Sequence, residues 1–132
     1  MMMKWKIKNV WHRIEARLIK IKYFFQRGRK GYCDYDLYAF DDWLTEMMPR
    51  ALREFKDKTH GWPDSEFKTF GEWQDCIERM AVVCERGNPS YWIDKLPDEY
   101  SHKELVECYQ NSYNNWSMFC DMLKKYGPHL WD

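Results

Sequence analysis

Apolar residues recur near the start of the chain at alternating intervals of four and three: Ile7, Trp11, Ile14, Leu18, Ile21 and Phe25. This is a heptad seam, and it predicts a long amphipathic helix from about Lys4 to Gln26, roughly 35 Å at 1.5 Å per residue. Gly28 and Gly31 predict its end. A second helix is predicted from Asp34, whose carboxylate can accept orphan backbone N–H bonds, with Asp36 favourable to the dipole in the first turn. Its buried stripe reads Leu37, Phe40, Leu44, Met47, Ala51 and Phe55, and it ends near Lys58. Pro49 removes one donor and crowds the preceding turn, which predicts a kink or short break near Met48.

The segment THGWPDSEFK follows, where Gly61 and Pro63 forbid a helix and Trp62 is held extended by the proline after it. Thr69 and Glu72 form a capping-box pair before the stripe Phe70, Trp73, Ile77, Met80 and Cys84, and Gly87, Asn88 and Pro89 close that third helix. Residues 88–98 read as a proline-bounded connector anchored by Tyr91 and Trp92. A fourth helix is predicted from about Glu99 to Tyr126, with Leu105, Cys108, Ser112, Trp116, Phe119, Leu123 and Tyr126 on one face; Gly127 and Pro128 end it. The tail, His129 to Asp132, is apolar enough to dock. With no convincing strand and no internal repeat, the pattern defines an all-α, single-domain bundle of about four helices.

Charge changes this picture more than composition does. The net charge is zero, yet residues 1–30 hold 10 of the 21 Lys and Arg and one acid, Glu15, a balance of +9; residues 31–132 hold 11 bases and 20 acids, a balance of −9. The single domain, 1–132, therefore reads as a basic N-terminal helix and hinge (1–30) followed by an acidic helical body (31–132). The basic helix can pack on the acidic body of its own or a neighbouring subunit, or its outer face can meet nucleic acid, anionic lipid or phosphorylated ligands. Eight Trp, nine Tyr and seven Phe exceed what so small a core can bury, which points to a homo-oligomer or a ligand groove. Five cysteines without a CxxC pair argue against a disulfide framework or zinc ribbon and fit a reducing cytosol. No stretch has the apolar run of a signal peptide or a membrane span.

No Walker loop, GxGxxG, HExxH or GxSxG occurs, and no catalytic residue, metal ligand set or cofactor is assigned. Glu99 and His102 form one ExxH, but a carboxylate-bridged di-iron bundle needs two such pairs; Glu99 is expected to serve the first-turn dipole instead. Cys84 and Cys108 belong to apolar stripes, while Cys33 in the hinge could be exposed. The stretch RGRKGYCDYDLY, residues 27–38, sets three cations around two glycines and then two carboxylates among tyrosines. Its basic half offers Arg27, Arg29 and Lys30 to an anion, with Tyr32 as a stacking ring; Asp34 and Asp36 would repel a phosphate from the helix start. A second candidate set is His60 and Trp62 with Arg50 and Arg53, which has the parts to stack a base and neutralise a phosphate. The alternative is that Trp62 and Pro63 seal one end of the bundle.

On GYCDYDLY followed by DDWL, the HGWP loop, FGEW with Met80 downstream and the terminal HLWD, the chain resembles a family of small, mostly uncharacterised helical proteins of tailed bacteriophages. The likeness covers roughly residues 27–86 and the last few. The family hinge is usually GYSD, so Cys33 stands where a better-capping serine would be. The resemblance implies a viral protein acting in the host cytoplasm, without implying a reaction or a ligand. The expected function is non-catalytic: a sponge that sequesters a small anionic ligand such as a nucleotide immune signal of an anti-phage defence system. The alternative is a module that binds protein or nucleic acid through the basic helix.

Overall fold

Helix α1 (Met2–Lys30) runs straight through Gly28 and stops one residue later than its last cation, at Gly31, whose φ of +82° only glycine adopts readily. The Gly31 N–H donates to the Arg27 carbonyl at 2.9 Å and closes the last turn. The structure, a computed structural model, describes residues 2–130, with side chains from residue 9 onward. The seam position Ile7 and the expected docking of Trp131 and Asp132 lie outside the described residues and side chains. Six α-helices and one 3-10 turn, with no strand among the described residues, make the protein all-α. The chain forms two compact units, Met1–Phe40 and Asp41–Asp132, so the division falls ten residues beyond the change of charge.

In the first unit, α1 is followed by the short α2 (Asp34–Tyr38). Its N-cap is Cys33, where Asp34 was the residue the sequence suggested. The reciprocal carboxylate is Asp36, whose Oδ2 accepts the Cys33 N–H at 2.7 Å. This helix ends at Ala39, and α3 (Phe40–Lys58) begins directly after it. The predicted second helix is thus two helices, broken at Ala39 and not near Met48.

The second unit holds the core. Pro49 lies buried inside an uninterrupted α3. Its missing N–H leaves the Thr45 carbonyl without an i+4 donor. The Thr45 hydroxyl meanwhile donates to the Asp41 carbonyl one turn earlier at 2.7 Å. The buried positions are Thr45, Pro49 and Leu52, with Met48 and Phe55 packed on the core, whereas Leu37, Phe40 and Ala51 are exposed. The expected stripe was phased from Leu37, which belongs to another helix; α3 alone follows the spacing 45, 48, 49, 52.

Helix α4 (Phe70–Arg86) starts where the capping box predicts: Thr69 Oγ1 accepts the Glu72 N–H at 3.2 Å and the Glu72 carboxylate accepts the Thr69 N–H at 3.3 Å. Trp73, Ile77, Met80, Ala81 and Cys84 are its buried face. The connector contains a helical turn, α5 (Pro89–Ile93), capped by Asn88, whose Oδ1 accepts the Ser90 N–H. Asn88 Nδ2 also donates to Asp42 Oδ1 at 2.6 Å and to Thr45 Oγ1 at 3.1 Å, tying α5 to α3. Helix α6 (His102–Tyr126) begins three residues later than expected, capped by Ser101 with Glu104 as its partner. Glu99 therefore precedes the helix and shares no helical face with His102. Phe119 enters the core from α6, and the rings of Phe67, Trp73 and Tyr126 meet at 5.2–6.3 Å. A 3-10 turn, Gly127–His129, follows.

Candidate functional site

The sign change in RGRKGYCDYDLY resolves into an internal neutralisation. Arg27 donates through Nε to Asp36 Oδ2 at 2.9 Å and through Nη2 to Asp36 Oδ1 at 2.5 Å, the forked geometry that suits a guanidinium and a carboxylate. The guanidinium, helped by the Cys33 N–H, holds the Asp36 carboxyl far below the usual carboxylate range, and Arg27 is raised in turn. Next to Arg27, Gln26 Nε2 donates to Asp34 Oδ2 at 2.8 Å while Gln26 Oε1 accepts the Asp34 N–H at 3.0 Å. Lys22 adds an ion pair to Asp34 at 2.9 Å. Gln26 and Lys22 both lower the Asp34 carboxyl. Lys30 lies over the Tyr32 ring at 5.7 Å. Cys33 is buried and free, so its place in the hinge does not expose it.

The candidates of the second unit are likewise engaged. Arg53 reaches from α3 to two acids on α4, Glu78 at 3.0 Å and Glu85, and Lys56 joins Glu78 at 2.7 Å. Both acids raise the Arg53 guanidinium, Glu85 most. Arg50 pairs with Glu46 one turn back along α3 at 2.6 Å. Trp62 is partly exposed and rests on Phe70, ring centres 6.0 Å apart, which fits the sealing role; His60 is exposed. Thus Arg27, Arg29, Lys30 and Tyr32 belong to the first unit, and Arg50, Arg53, His60 and Trp62 to the second.

One feature of the second unit escaped the pattern, and a second surrounds the expected anchors Tyr91 and Trp92. A cleft of about 680 Å³ has Phe67, Cys76, Met118, Met122 and Tyr126 among its walls and a rim of mixed charge, including Glu72 and Arg79. Met118 and Met122 are four apart on α6, one step to the side of the Phe119 stripe, and that spacing was their only signal. Just past α5, Lys95 lies 3.6 Å over the Tyr91 ring, and Trp92 Nε1 donates to the Arg86 carbonyl at 2.8 Å. Lys95, then Arg86, lowers the Tyr91 phenol. Burial pushes the Cys84 thiol up to about 12, which makes it inert at neutral pH. No group of acids, cysteines and histidines able to hold a metal occurs among the described residues.

Helix α1 also carries an exposed apolar surface. No side chain described on it is buried, and its seam is open to water: Trp11 is 61% exposed, Leu18 60% and Phe25 68%, with Ile14 and Ile21 close behind. Among the described residues, Arg13, Arg17, Lys20 and Arg29 form no ion pair. A helix that exposes both an apolar seam and unpaired cations offers two kinds of contact at once. No family model, curated protein or solved structure matches the chain.

Proposed function

We propose that the protein is a non-catalytic interaction module acting through α1, with the acidic body as a stable carrier. The observation that carries this is the exposure of the heptad seam from Trp11 to Phe25 beside Arg13, Arg17 and Lys20, which form no ion pair among the described residues. Monomeric proteins rarely leave such a stripe in water unless something covers it. Sequestration of a small anionic ligand draws less support, because Arg27, Arg50 and Arg53 already hold Asp36, Glu46, and Glu78 with Glu85. The resemblance to tailed-phage proteins would set the interaction in an infected host cytoplasm.

The test is hydrogen exchange on the full chain, alone and with three polyanionic probes: duplex DNA, polyaspartate and anionic lipid vesicles. At least one probe should slow exchange across residues 9–26 by about tenfold or more while leaving α4 and α6 unchanged. If all three leave α1 exchanging at its free rate, the interaction role fails.

A further inference from the structure

We infer that the surface α1 meets is an anionic lipid bilayer, on which the helix lies flat with its seam in the headgroup and acyl boundary; this step rests on the interaction role proposed above. A second copy of α1 and a nucleic acid each leave part of the helix unmatched. In a heptad frame with Trp11, Leu18 and Phe25 at a and Ile14 and Ile21 at d, Arg17 occupies g and Lys22 occupies e. A parallel pair of α1 helices would set Arg17 beside Lys22, whose charge Asp34 already holds, and an antiparallel pair would set Arg17 against Arg17, so a second copy of the helix offers Arg17 no carboxylate in either direction. Nucleic acid would neutralise Arg13, Arg17 and Lys20 but leave the seam in water. A carboxylate-lined groove on a protein would match the cations as well, and it is the outcome that the polyaspartate probe detects.

A bilayer rich in acidic headgroups satisfies both faces. The seam carries Trp11 near its start and Phe25 at its end, with Ile14, Leu18 and Ile21 between, a row of roughly 21 Å along one side of a straight helix. Large rings along one side with Arg13 and Lys20 away from them belong to the composition of helices that lie in the interface plane, from which exposed Ile19 departs. No helix among the described residues is long and apolar enough to cross a membrane, so lying on the surface is the mode open to α1. The cations Arg13, Arg17 and Lys20 would each contribute attraction that fades beyond a Debye length.

The test is flotation of the full chain with vesicles of phosphatidylcholine alone and of phosphatidylcholine with about one-third phosphatidylserine, in low and high salt. Binding to the anionic vesicles should exceed binding to neutral ones by about tenfold or more, and should weaken on raising salt from about 0.1 to 0.5 M. The triple variant Arg13→Gln, Arg17→Gln, Lys20→Gln should lose most of that preference, and Leu18→Asn with Phe25→Asn should lose binding to both. Because these side chains are exposed, unchanged far-UV circular dichroism of the variants will establish that the fold is intact. Equal binding to both vesicle types, or none to either, overturns the lipid assignment. If DNA or polyaspartate protects α1 while vesicles do not, the lipid assignment fails and the interaction role stands; if no probe protects it, both fail.

Discussion

At the scale of single residues, Asp36 carries the most. It is buried, it caps α2 through the Cys33 N–H and it neutralises Arg27, so its removal leaves Asp34, with Gln26 and Lys22, to hold the turn to the end of α1. Asp36→Asn keeps the shape and loses the charge. Arg27 is half exposed and can return to water, so the cost stays at about 1–2 kcal/mol. Amide protection of Cys33 and α2 at pH 6 should fall by about tenfold, and equal protection in both proteins would overturn this role. The sign of the pH effect follows from a folded pKa held below the unfolded one near 3.9. The contribution is complete above about pH 4 and is lost as pH falls toward the depressed folded value. Wild-type protection should therefore hold flat from pH 6 to 4.5 and decline only below that, while the Asn variant shows a smaller decline, the part that Asp34 contributes through Gln26 and Lys22. The sequence displayed Asp34 and Asp36 together, and local capping rules could not say which of them would turn back to the cap and which would take Lys22 and Gln26. That choice depends on where the preceding helix ends, and α1 ended a turn beyond the reach of its apolar repeat.

At the scale of elements, legibility followed the caps. Thr69 with Glu72 marked α4 to the residue because both partners lie within one turn, so no distant contact was needed to choose them. The α6 start was misplaced because two carboxylates, Glu99 and Glu104, competed for the first turn, and Ser101 selects the second. Proline misled most. Pro49 reads as a breaker, yet it packs in the core of a continuous helix, while Ala39, unremarkable in sequence, is where the chain turns. Gly87 shows the converse: it reads as a helix stop, but its φ is −71°, an angle any residue adopts. What it supplies is space. A Cβ there would lie 3.0 Å from Trp116 Cε3, 3.1 Å from the Cys84 carbonyl oxygen and 3.3 Å from Trp116 Cα. Gly87→Ala would force α6 away from the end of α4, for a loss of about 1–3 kcal/mol in urea unfolding. An unchanged midpoint would show that the two helices part without cost.

At the scale of the whole molecule, the two units differ in what they bury. The core residues, Leu52, Trp73, Ile77, Met80, Ala81, Val83, Cys84 and Phe119, all lie in Asp41–Asp132, as do the apolar side chains packed against them, from Met48 to Leu130. Residues 9–40 bury only Cys33 and Asp36. The reversal from +9 to −9 announced in the sequence that the chain has two characters. It could not say that the seam of α1 would go unburied, because a heptad stripe has the same spacing whether it faces a core or water. The consequence is a physical separation of stability from surface chemistry. A fragment comprising residues 41–132 should retain a single cooperative unfolding transition, with Tm within about 5 °C of the full chain. The same fragment should lose the vesicle binding assigned to α1. A fragment that melts without cooperativity would show that residues 1–40 contribute to the core energetically, and the carrier role of the body would have to be abandoned. Since nearly all the apolar burial is retained and, among the described residues, the part removed buries only Cys33 and Asp36, the expected direction is clear.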